Sequence, residues 1–166
     1  MAPPPAQSAP DPSPAAPAPN FLSHLRVGIQ AGHWKEAELP AELAGLRGAT
    51  GASENGWREV DVNIAVANTV AGLLRDSGVQ VDVLPATVPV AYKADAFVAI
   101  HGDANENTGV SCYKRARARW SKIPLKDDAL IRAVSSEYGT ATGLKEHNSS
   151  ITENMREYYG FDWPDL

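Results

Sequence analysis

One cysteine, Cys112, stands among 166 residues, so no internal disulfide can form and a disulfide scaffold is excluded. Basic residues are also in deficit. Lysine and arginine number 15 against 20 aspartates and glutamates, a formal net charge of −5. Bulk electrostatics therefore give no reason to expect a nucleic-acid partner. No apolar run approaches the roughly 18 residues that a bilayer-spanning helix needs, so no transmembrane segment is expected. Internal repeats are lacking too. Residues 2–19 contain nothing but Ala, Pro, Gln, Ser and Asp. That stretch has no basic n-region and no apolar h-region, and so does not read as a signal peptide. It cannot bury enough apolar surface to offset its ordering entropy. The expectation for residues 1–20 is a disordered Pro/Ala-rich linker, either a tether or a plain tail.

What remains, residues 21–166, is long enough for one domain with a proper core. The whole chain is 43% apolar and 21% charged, ordinary for a globular protein. Residues 25–31 alternate apolar with polar or small side chains and predict a first strand. A short helix is expected near 39–47 and a loop over Gly48–Gly56. Residues 58–76 carry Val60, Ile64, Ala67, Val70, Leu73 and Leu74 at helical spacing, with Gly78 as the stop signal. Val79, Val81 and Val83 alternate as a second strand. The continuous apolar run Ala96–Ile100 predicts a central strand covered on both faces. Gly109–Arg115 predicts another strand, and residues 127–142 a second long helix ended by Gly143. The Ser150/Glu153 spacing predicts a capping box opening a short helix at about 151–159. Strands alternating with helices place the chain in the α/β class, with a mixed, mainly parallel sheet flanked by helices.

Three residues stand where such folds place ligands, outside the carboxyl ends of strands. His33 follows the first strand in Gln30-Ala31-Gly32-His33, and His101 follows Phe97-Val98-Ala99-Ile100. Glu59 opens the long helix. If the two strands are parallel neighbours, all three side chains gather at one sheet edge. Two histidines and a glutamate with a free fourth position suit a catalytic zinc ion. Each residue alone has a blander reading. A lone histidine often just ends a strand, and a first-turn glutamate is favoured by the helix dipole.

The order of these segments resembles the zinc-dependent N-acetylmuramoyl-L-alanine amidases. The matching segments are Gly32-His33, Glu59 with Asn63 four residues on, Ala94-Asp95-Ala96-Phe97, Ala99-Ile100-His101-Gly102 and Gly109. The resemblance covers about residues 26–115. It implies that His33, Glu59 and His101 hold Zn2+. It further implies hydrolysis of the amide between muramic acid and L-alanine in peptidoglycan, and a cell-envelope or extracellular setting. The sequence departs from the pattern at Gln30, Trp34 and Asp103. It also lacks the Glu-x-Gly-Phe strand whose glutamate serves the family as general base. The expectation is therefore a zinc amidase-like domain over residues 21–166, C-terminally incomplete, without the last strand and helix. No catalytic base is assigned, because nothing in the sequence puts Glu153, Glu157 or Asp162 in that role.

Two further readings stay open: a zinc- and peptidoglycan-binding module without turnover, and an α/β domain whose histidines are structural. His24 and His147 read as surface residues, and Cys112 as a small buried hydrophobe. The basic run Lys114, Arg115, Arg117 and Arg119 reads as a solvated strand end or a contact for an anionic wall polymer. Trp34 reads as loop packing or a substrate contact. Asn148-Ser149-Ser150 fits the short N-glycosylation pattern.

Overall fold

Alternation along residues 26–31 sends Val27, Ile29 and Ala31 to one side of a strand and Gly28 and Gln30 to the other, as a two-residue period requires. That strand organises the molecule. The computed structural model describes residues 21–102, 111–161 and 164–165. In chain order they form strand β1 (Arg26–Ala31), two short 3-10 turns (Glu36–Glu38 and Ala41–Leu46), β2 (Ser53–Glu54), β3 (Trp57–Arg58) and helix α1 (Glu59–Asp76). Then come β4 (Gln80–Leu84), β5 (Tyr92–Lys93), β6 (Ala96–Ile100), β7 (Cys112–Tyr113) and helix α2 (Pro124–Thr142). The chain continues through β8 (Lys145–Glu146), a 3-10 turn (Asn148–Ser150), helix α3 (Glu153–Arg156), a last 3-10 turn (Tyr159–Phe161) and β9 (Pro164–Asp165). The class is α/β, as expected.

The main sheet is parallel, in the order β4-β1-β6. On one face, Ile29 and Ala31 of β1 pack with Val81 of β4 and with Ala67 and Ala71 of α1. On the other, Leu84, Val88, Tyr92 and Phe97 form a second cluster, joined by Phe161. The remaining strand pairs are short. β5–β9 and β7–β8 are parallel, and β2–β3 is antiparallel.

Several expectations need correction. Among the described residues β1, not β6, is the central strand. β6 reads as doubly covered because Ile100 packs toward α1 while Phe97 and Ala99 join the opposite cluster, which an edge strand can also do. The expected loop at 48–56 contains a tight hairpin. Asn55 and Gly56 both take positive φ (49° and 82°) between β2 and β3, the geometry that Asn-Gly favours. The buried stripe of α1 is Glu59, Asn63, Ala67 and Ala71, whereas Val70 and Leu73 are exposed. Small alanines let the helix approach the sheet closely and so take the inward positions. The short third helix starts after Thr152, with no side-chain cap. Ser150 instead bonds His147. Cys112 is half-buried rather than buried. The expected disorder of residues 1–20, the departure at Asp103 and the start of a strand at Gly109 lie outside the described residues.

Candidate metal centre

The site is built by three local decisions of the chain. The first is the exit from β1. Gly32 N–H donates to the Ile100 carbonyl at 2.9 Å, which carries the parallel β1–β6 pairing one step past the strand ends. His33 then takes φ 64°, a left-handed conformation rare for residues with a side chain and enriched at functional sites. The second is the start of α1. Glu59 N–H donates to the Ala52 carbonyl at 2.8 Å, and Ala52 N–H donates to Glu59 Oε2 at 2.9 Å. The loop after β1 thus grips both ends of this glutamate. The third is the exit from β6, which delivers His101 beside the β1 exit. The fit there is close: a Cβ on Gly32 would stand 2.4 Å from the His101 ring, so only glycine leaves room for it.

The result brings all three expected residues together. Glu59 Oε1 lies 3.4 Å from His33 Nε2 and 3.1 Å from His101 Nδ1. One ligand atom from each residue falls within 4.8 Å of the others. Tetrahedral ligands about 2.1 Å from a zinc-sized ion stand roughly 3.4 Å apart. The three donors therefore fit a single metal ion with small side-chain adjustments.

The surrounding hydrogen bonds orient the donors. His33 Nδ1–H donates to the Ala49 carbonyl, which leaves Nε2 toward Glu59. Fixing one ring nitrogen in this way selects the tautomer that presents the other to a metal. Glu59 Oε1 accepts from Gly102 N–H (3.0 Å) and from Asn63 Nδ2 (3.3 Å), and Asn63 also donates to the Gly32 carbonyl at 3.2 Å. Asn63 thereby ties the helix to the exit of β1, and Glu59 ties it to the exit of β6. Burial alone would push the Glu59 carboxyl up. The His101 and His33 rings and the Ala52 N–H outweigh it and hold the group far below its usual 4.5. The hydrogen bond with Glu59 raises the His33 imidazole above 6.5, against the opposing effect of burial. The glutamate is thus a permanent anion at neutral pH, and the cluster attracts positive charge, whether a proton or a metal ion.

A cleft of about 350 Å³ opens beside His33. Glu36, Leu39 and Ala49 line it from the segment after β1; Asn154, Glu157 and Tyr158 line it from the segment around α3. Glu36 is a residue that sequence reasoning missed. It is buried, and its Oε2 lies 3.5 Å from His33 Nδ1, on the ring edge away from Glu59. The spacing of three from His33 was the available signal, hidden because Lys35 between them also takes a left-handed φ of 55°. Of the late carboxylates, Glu153 and Glu157 pair with Arg119 at 3.1 Å and 2.6 Å, and Asp162 lies outside the described residues.

Arg115 pairs with Glu146, and Arg117 with Asp128. The basic run thus anchors α2, α3 and β8. Trp34 packs against the core between sheet and α1, with the Lys35 ammonium 5.6 Å from its ring centre. His24 is exposed, as expected; His147 is half-buried and bonded to Ser150. No helix among the described residues is long and apolar enough to cross a membrane. No protein-family model matches the chain, and neither a curated protein nor a solved structure matches it.

Proposed function

We propose that the chain is a zinc-dependent peptidoglycan amidase domain, acting on the amide between muramic acid and L-alanine in the cell envelope or outside the cell. The observation that carries this reading is the convergence of His33, Glu59 and His101 at adjacent parallel strand ends, beside an open cleft. The order of these residues along the chain, with Asn63 one turn after Glu59, is the amidase-like pattern of the sequence. When bound, zinc supplies Lewis acidity toward the scissile carbonyl and acidifies water to near neutrality. The chain's own residues hold and orient. His33 and His101 present neutral nitrogens, and Glu59 contributes the one negative charge. Asn63, Ala52 and Gly102 keep that carboxylate in place. The cleft walls supply apolar surface at Leu46 and polar groups at Asn154 for an amide-bearing ligand.

A second reading is a domain that binds zinc and muropeptide without turnover. It is favoured by the state of the carboxylates in the cleft. Glu157 pairs with Arg119, and Glu36 lies on the edge of the His33 ring away from Glu59. A general base is worth roughly 10²–10⁴-fold in such chemistry. The deciding assay is release of L-alanine-linked peptide from purified peptidoglycan, with and without a chelator, alongside metal analysis of the protein. Under the amidase reading the 166-residue chain binds about one zinc and releases peptide slowly and chelator-sensitively. One zinc with no release supports the binding module. Protein that takes up no zinc defeats both.

A further inference from the structure

The chain past α3 turns back over the carboxyl end of the main sheet, and its aromatic side chains line up there. The Tyr158 ring stands edge-on to the His101 imidazole, with centres 4.8 Å apart and planes at 81°. Tyr158 meets Phe161 at 5.9 Å and 84°, and Phe161 meets Phe97 of β6 at 6.2 Å and 82°. Such edge-to-face contacts are worth about 0.5–1.5 kcal/mol each beyond the area they bury. Phe97 is buried on the same strand that delivers His101. The row therefore starts in the core and ends on the imidazole.

Gly160 makes this return possible. It is buried, and a Cβ there would stand 2.7 Å from Tyr158 Cε1 and 3.1 Å from Gln30 Nε2. Gln30 is itself fully buried at the end of β1, where its Nε2 donates to the Ala86 carbonyl at 2.9 Å. The Tyr158–Phe161 segment is thus seated on the ends of both β1 and β6. The seating sets where the Tyr158 ring lies.

The second histidine needs such help. His33 has its Nδ1 fixed by a backbone carbonyl and a carboxylate behind it. His101 is a third exposed at its side chain, and among the described residues its ring hydrogen-bonds to Glu59, a fellow ligand candidate. A ligand held by the metal partner alone can swing away when the metal is absent. A ring packed edge-on to it removes that freedom without using a ring nitrogen.

We infer that Tyr158 is a positioning residue for the metal centre: its ring holds the His101 imidazole in the ligating rotamer. This rests on the zinc reading above. Removing the ring, while keeping bulk, should loosen His101 and weaken zinc by about 10- to 100-fold, the usual effect of losing a group that orients a ligand. The hydroxyl is not required by this role.

The test compares Tyr158→Phe, Tyr158→Leu and Tyr158→Ala with the wild-type chain. Zinc dissociation constants come from competition with a chromophoric chelator, and circular dichroism confirms that each variant is folded. The expected result is near wild-type affinity in Tyr158→Phe and a loss of tenfold or more in the folded Leu or Ala variant. A folded Tyr158→Leu protein with wild-type affinity would overturn the inference while leaving the zinc reading intact. Wild-type protein that binds no zinc would overturn both. Nuclear Overhauser contacts between the Tyr158 and His101 rings in the wild-type chain give a check that needs no variant. They should be present before and after zinc addition, and their absence from the zinc-bound protein would equally overturn it.

Discussion

At the scale of single residues, Glu59 is the pivot, and its chemistry sets a pH dependence. The His33 imidazole is raised above 6.5, chiefly by Glu59. Its contribution to the stability of the metal-free fold is complete below 6.5 and is lost as pH rises through the raised value. Glu59 is held far below 4.5. Its contribution is present above 4.5 and is lost as pH falls toward the depressed value. The metal-free cluster therefore stabilises most between 4.5 and 6.5. Zinc must displace the imidazole proton, so the rise in melting temperature on adding zinc should grow from about pH 6 to about pH 8. Thermal scans with and without zinc across that range check this, and a shift that shrinks with pH contradicts it. Gly32 carries a second expectation. Gly32→Ala drives a methyl into the His101 ring. It should abolish zinc uptake as measured by metal analysis while leaving much of the fold's circular dichroism. His33, Glu59 and His101 were legible in the sequence because each sits at an element boundary, where direction follows from periodicity. Glu36 and Tyr158 were not. One lies in a 3-10 turn after two left-handed residues, and the other reaches His101 only through tertiary packing.

At the scale of elements, the parallel pairing of β1 with β6 did what the apolar runs suggested and brought the two histidines side by side. The helix between them held a different lesson. Its period was readable, but its phase only in part: Ile64, Ala67 and Leu74 face the core as expected, and Val70 and Leu73 do not. Hydropathy favours Val70 and Leu73, yet the helix turns Glu59, Asn63, Ala67 and Ala71 inward. Two requirements fix that phase. Glu59 and Asn63 must reach the strand exits, and the same i, i+4 stripe continues into Ala67 and Ala71. There the helix meets Ile29, Ala31, Val79 and Val81 at close range. Ala67 has no exposed surface, so Ala67→Leu should overpack this contact. The expected cost is about 1–3 kcal/mol in denaturant unfolding. Because the helix would shift outward, zinc affinity should fall with stability. Val70→Ala, on the exposed flank, should change both little. If Ala67→Leu proves neutral, α1 does not pack as described.

At the scale of the whole molecule, the uneven coverage of the two long helices has a consequence for behaviour in solution. On α1, Val62, Val66, Val70 and Leu73 follow one another at intervals of four, four and three and are 39%, 42%, 36% and 65% exposed. That spacing puts them on one stripe of the helix, beside the face that packs on the sheet. On α2, Leu125 and Val134 are 83% and 51% exposed, and Ser135 is the single buried residue. Tyr113 supports that helix: its hydroxyl donates to the Ser135 carbonyl at 3.2 Å, and its ring meets Tyr138 at 5.3 Å. Contiguous apolar surface of this kind promotes association, because burying it removes area from water at about 25 cal/mol per Å². The 166-residue chain should therefore self-associate as its concentration rises, with a sedimentation coefficient that climbs across the micromolar range. The double substitution Val66→Lys and Val70→Lys tests the α1 stripe directly. Lysine has a better helix propensity than valine, so α1 itself is not weakened. Neither position belongs to the buried stripe, so zinc binding should be retained. The double variant should sediment as a monomer at concentrations where the parent does not. A parent chain that is already monodisperse and melts cooperatively would show that the α1 stripe does not drive association.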